Sequence, residues 1–218
     1  MTSRGGQRTR DEARHWLPSQ GVDPAPLAEL NTECLGQLVL RAAESVTIAS
    51  APLLLSSLRG QWASLPAHAV RRLSAAPFSL FDAGFASAPR WLELRTRGVH
   101  DHSQRVEPVY FELVAARSVT RRMLVYGWHL ARSRPRAACL VFGSTMAGVE
   151  SLAACSLVSL EAAADRNAES LRPRWAHQTS FWRELLLAAS AGADRRLHEL
   201  LLGGVQRLAA ETLAAHPP

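Results

Sequence analysis

The chain contains no lysine. All 25 of its Lys and Arg residues are arginine, which removes a P-loop lysine, a Schiff-base lysine and a lysine general base together. Cysteine is scarce as well. Cys34, Cys139 and Cys155 are odd in number, far apart and set in apolar sequence, so buried reduced thiols are expected rather than a metal site or a disulfide framework. No apolar run approaches the ~18 residues that a membrane span needs. The opening MTSRGGQRTR has no apolar stretch behind its charges, so no secretory signal is expected. Catalytic motifs are missing too: GVESLAA and FGSTMAG lack the Gly-x-Ser-x-Gly elbow, and no glycine-rich nucleotide loop follows a strand. A non-enzymatic protein without cofactor or metal is expected.

What remains is a chain of 218 residues that is 47% apolar, enough for a real core and a soluble, cytoplasmic protein. Its net charge of +6 favours an anionic partner, either nucleic acid or an acidic protein surface. Arginine's planar fork suits phosphate better than a point charge does.

The periodicity is helical almost throughout, and the fold class expected is all-α. After a basic tail at 1–23, Leu27, Leu30, Cys34, Leu38, Ala42 and Val46 step by three or four, with Pro24 and Pro26 at the entry. A short helix follows from Pro52 to Arg59, ended by Gly60, and Pro66 opens another carrying Ala69, Val70 and Leu73. PFSLFDAGF then breaks the pattern as an aromatic loop or extended segment, and the amphipathic PRWLEL follows. The polar stretch around 97–108 reads as a linker.

Beyond it the same order begins again. Tyr110 to Arg132 is a long helical run with Phe111, Val114, Val119, Met123, Tyr126 and Leu130 on one face. Short helices are expected at Ala137–Phe142, ending at Gly143, at Ala147–Ala154, and at Ser156–Asp165 with Ser156 as its cap. The aromatic break LRPRW precedes helices at Thr179–Ala191 and Asp194–Ala214. Phe85 and Trp91 stand six apart, as do Trp175 and Phe181 ninety residues later. The organisation expected is a first helical repeat at 24–96, the linker, and a second repeat with an extra C-terminal helix at 109–218, arranged about a pseudo-two-fold axis.

Residues 118–214, with SVTRRMLVYGWHLARSRPRAACLVFG, MAGVESLAACSLVSLEAAAD, LRPRWAHQTSFWRELLLAA and RRLHELLLGGVQRLAAE in that order, resemble FlhD, the smaller subunit of the bacterial flagellar transcriptional activator. Residues 31–91 resemble it in the same sequence of features. The resemblance implies an all-α regulatory subunit that dimerises and binds promoter DNA with a second protein, FlhC. A duplicated chain would carry both halves of such a dimer. The family's interchain cysteine has no counterpart in SLFDAGF or SLRPRW, so covalent dimerisation by that route is not expected.

The candidate nucleic-acid contacts are Arg117, Arg121, Arg122, Arg132, Arg134 and Arg136, which crowd one long helix and its exit with no acidic residue between Glu112 and Glu150. They would grip double-stranded DNA through its phosphates. Their alternative is a solvated basic helix face, which acidic residues from a neighbouring helix would mark. His100-Asp101-His102 is the one compact set of metal-ligand types, and a solvated linker is the preferred reading. Trp128 is read as a helix-core residue beside a surface His129, and the arginines around Trp175 as packing over its ring. Two functions follow: a transcriptional regulatory subunit working through protein partners, a second copy of itself or promoter DNA, and a helical adaptor with no nucleic-acid role.

Overall fold

The computed structural model describes residues 23–44, 51–85 and 109–214. They form ten α-helices and one two-stranded sheet, an all-α architecture. The tail, the PRWLEL segment, the linker with His100 to His102, and Val46 lie outside the described residues apart from Asp23.

Helix α1 (Ala25–Ala43) starts where Pro24 and Pro26 pre-set the backbone and the Asp23 carboxylate accepts the Ala25 N–H at 3.0 Å. Two five-residue helices follow, α2 (Leu53–Ser57) and α3 (Arg59–Ala63). Gly60 is inside α3 and ends nothing, because the break falls at Leu58. Helix α4 (Ala67–Ser74) opens after Pro66, and the chain then passes through a turn and bends into strand β1 (Phe81–Asp82).

The long helix α5 (Leu113–Ser133) begins later than its sequence suggests. Tyr110 and Phe111 precede it, both buried, and Phe111 meets Phe81 edge-on at 5.9 Å. Val114 points to solvent, 70% exposed. The buried stripe reaches back from Val119 through the small Ala116 instead. Pro135 opens α6 (Pro135–Phe142), and Gly143 closes it in the left-handed region at φ +57°. Thr145 and Ser156 cap α7 (Met146–Ala153) and α8 (Leu157–Asn167) by accepting the Gly148 and Ser159 N–H groups. A 3₁₀ turn at Ala168–Ser170 leads to strand β2 (Arg172–Pro173), then α9 (Thr179–Ser190) and α10 (Asp194–Ala214). The last helix spans the residues that its apolar period marks, although Leu213 is exposed.

The order long helix, two short helices, one longer helix, strand is thus the same on both sides of the linker. A shift of 89 positions lays all seven buried residues of α1 onto buried residues of α5. Leu27 falls on Ala116, Leu30 on Val119, Asn31 on Thr120, Cys34 on Met123, Leu35 on Leu124, Leu38 on Gly127 and Ala42 on Ala131. Any two amphipathic helices can be brought into register, so the coincidence has weight through its order and its buried polar pair. Strands β1 and β2 pair antiparallel, Phe81 opposite Pro173 and Asp82 opposite Arg172.

The segments on either side of the linker are not separate units. Helix α9 leaves its own side and lies on α4, α2 and α3, burying Trp182 against Trp62 at 5.5 Å and Phe81 at 6.2 Å. One hydrophobic core runs through both. Tilted aromatic pairs of this kind add about 0.5–1.5 kcal/mol each beyond the area they bury.

Candidate nucleic-acid interface

Three of the six arginines pair with carboxylates of neighbouring helices. Arg117 and Arg121 lie along the antiparallel seam between α5 and α8, where Arg117 approaches Asp165 at 3.9 Å and Arg121 pairs with Glu161. Arg122 reaches across to α1 and pairs with Glu33. Carboxylates of two other helices therefore intersperse this half of the cluster, which takes weight away from phosphate contact there. Each pair is at least partly exposed and contributes no more than about 1 kcal/mol.

The other three stand at the far end of α5. Arg132 is exposed, its guanidinium 4.7 Å from the Trp128 ring centroid. Arg136 is exposed on the first turn of α6. Neither has a carboxylate at ion-pair distance among the described residues. Arg134 sits between them, half-buried, at the junction of the two helices. Arg132, in the last turn of α5, also faces the negative end of that helix's dipole. Trp128 itself is half-buried and donates its indole N–H to the Cys155 carbonyl at 2.9 Å, with His129 exposed beside it.

An arginine does pack over the core tryptophan of RPRW, but it comes from another helix. The rings of Trp175 and Phe181 are covered by Arg207 of α10, at 5.8 and 5.0 Å, not by a neighbouring arginine. Arg174 turns inward and is buried. Its Nε donates to the Ser79 carbonyl at 2.8 Å, a terminal nitrogen donates to the Phe142 carbonyl at 2.5 Å, and Asp82 lies 3.8 Å away. Burial pushes its pKa down from the ordinary arginine value, and Asp82 and then Glu211 push it back. Its own carbonyl accepts the Trp182 indole N–H at 2.7 Å. This guanidinium is a structural joint. The local sequence signal for it was present, an arginine between a proline and a tryptophan, but nothing in it distinguished inward from outward.

On α1, Asn31 is a second buried joint that composition hides. Its amide donates to the Ser74 and Phe78 carbonyls at 3.4 and 3.2 Å, and its oxygen accepts the Leu80 N–H at 3.0 Å. Together these contacts fix the path into β1.

The thiols match a packing role. None of the three forms a disulfide, Cys34 and Cys155 are buried, and burial raises the Cys34 and Cys139 pKa values, which keeps those thiols protonated and poorly nucleophilic. Among the described residues no group of three or more His, Cys, Asp or Glu could hold a metal, and no helix is long and apolar enough to cross a membrane. A shallow groove of about 290 Å³ between α9 and α10 is lined by Leu187, Ala188 and Ala191 and edged by the Arg196–Glu184 pair. No family model, curated protein or solved structure matches the chain.

Proposed function

We propose that this chain is a non-enzymatic regulatory subunit, two copies of one FlhD-like helical unit in a single polypeptide, that works through protein partners and promoter DNA. The observation that carries the reading is the recurrent order of elements, with matched buried positions on α1 and α5 and an antiparallel strand contact between the halves. An interface that two chains would otherwise form is then internal. In this reading the DNA contact narrows to the α5–α6 junction, where Arg132, Arg134 and Arg136 crowd a few residues of chain.

Duplex binding across a salt series tests it. The wild-type chain is expected to bind with an affinity that falls log-linearly with salt. Replacing Arg132, Arg134 and Arg136 by Gln should weaken binding and flatten the slope by up to about 0.9 for each phosphate no longer neutralised, with helicity unchanged. An unchanged slope in the triple variant would remove the junction from the interface.

The second reading, a helical adaptor with no nucleic-acid role, is favoured by the pairing of Arg117, Arg121 and Arg122 with Asp165, Glu161 and Glu33. A folded wild-type chain that ignores duplex at low salt would select it.

A further inference from the structure

The seam between α5 and α8 has an unusual composition for a solvent-facing surface. The helices run antiparallel, and their outer flanks form rungs. Arg117 stands beside Asp165, Arg121 beside Glu161, and Trp128 beside the Cys155 carbonyl. Between the last two rungs, helical spacing places Val125 next to Leu157. Both are exposed, at 41% and 57%, and Val114 at the other end of the same flank is 70% exposed. One helix thus lends a basic row and the other an acidic row, with apolar residues set among the charges.

Such a stripe is complementary to itself. Turned over about a two-fold axis parallel to the helices, the basic row of one molecule faces the acidic row of the other, at the same height along the seam. Arg117 and Arg121 would each meet a second carboxylate, and Glu161 and Asp165 a second guanidinium. Exposed pairs that are weak alone then become two four-charge rungs beside a closed apolar centre at Val125 and Leu157.

We propose that the α5–α8 seam is the surface through which two copies of this chain associate, as a four-helix face of α5, α8 and their two-fold mates. The axis brings both Arg132–Trp128 platforms to one end of that face. This doubles the basic junction that the regulatory reading assigns to DNA, although the dimer itself does not depend on that assignment.

The test is a charge-swap mixing experiment on full-length chains, read as mass by light scattering without nucleic acid. The wild type should show the two-chain mass at low salt. A variant with both rows acidic (Arg117→Glu, Arg121→Glu) and one with both rows basic (Glu161→Arg, Asp165→Arg) should each show the one-chain mass. Mixed in equal amounts, they should return to the two-chain mass, because an acidic face now meets a basic one. Val125→Glu leaves every ion pair in place and should also give the one-chain mass, which keeps the proposal decidable if a charge variant folds poorly. A wild type of one-chain mass, swap variants that remain paired when alone, or a mixture that fails to recombine overturns it. The masses are read without nucleic acid, so the dimer can fail while salt-dependent DNA binding stands, and the reverse.

Discussion

Helices α1 and α5 hold matching places in the order of elements and bury matching positions, yet they use those positions in opposite ways. At Asn31 the first helix spends a buried amide on three backbone partners and thereby fixes the chain between α4 and β1. At the matching Thr120 the second helix buries a hydroxyl that has no hydrogen-bond partner among the described residues. At Leu38 the first fills its core with a leucine. At Gly127 the second makes room for the ring of Phe85, which stacks on Phe142 at 4.2 Å. A shared apolar period decides which face of a helix is buried. What that face then does depends on the segment that crosses it, and the crossing segments differ between the halves.

The largest expected effect lies where the halves meet. Arg174→Met keeps the length of the side chain and removes the guanidinium, leaving Asp82 and the Ser79 and Phe142 carbonyls without their buried donor. Breaking one side of a buried charged joint costs about 3–5 kcal/mol. Chemical denaturation should show a loss of that order. The double variant with Asp82→Asn should recover much of it, since no orphaned charge remains and the amide oxygen at position 82 can still accept the Phe85 N–H. A single variant as stable as wild type would show that the halves hold together without this joint, through their strand pairing and aromatic contacts.

This joint shows where sequence reading runs out. The helices were legible because leucine and alanine recur at helical spacing, and the caps because Ser156 and Gly143 offer chemistry that a helix end requires. The all-α class followed directly. The β1–β2 pair was not legible, since two residues are too few to show alternation. Nor was the split of the arginine cluster. Arg117 finds its carboxylate 48 residues away, Arg121 40 away and Arg122 89 away, and no local pattern encodes a partner at such distance. A further signal lies one position away from the aromatic echo. Trp91-Leu92-Glu93-Leu94 and Trp182-Arg183-Glu184-Leu185 agree at three of four positions when the offset is 91, whereas an offset of 90 sets tryptophan against phenylalanine.

The matched polar positions give a sharper and smaller contrast. Asn31→Leu removes three hydrogen bonds and strands two carbonyls and one N–H in the core, at a cost of about 1–3 kcal/mol. Thr120→Val deletes a hydroxyl that bonds to nothing among the described residues and keeps the shape of the side chain, so it should be neutral or slightly stabilising. Measured side by side under the same denaturant, the two should differ clearly. Equal losses would mean that Thr120 is satisfied in solution and that the halves are more alike than their contacts suggest.

The smallest expected effect separates the two helix glycines. A Cβ on Gly36 of α1 would meet nothing within 4 Å, so Gly36→Ala should gain about 0.5–1 kcal/mol from helix propensity alone. A Cβ on Gly127 of α5 would stand 2.7 Å from a ring carbon of Phe85, and that ring is fully buried against Phe142 with nowhere to turn. Gly127→Ala therefore trades the same propensity gain against overpacking of about 1–3 kcal/mol. Thermal unfolding of the two alanine variants should move in opposite directions. If Gly127→Ala also gained stability, the close approach of α5 to Phe85 would be slack, and the second half would tolerate at that turn what the first half already carries as Leu38.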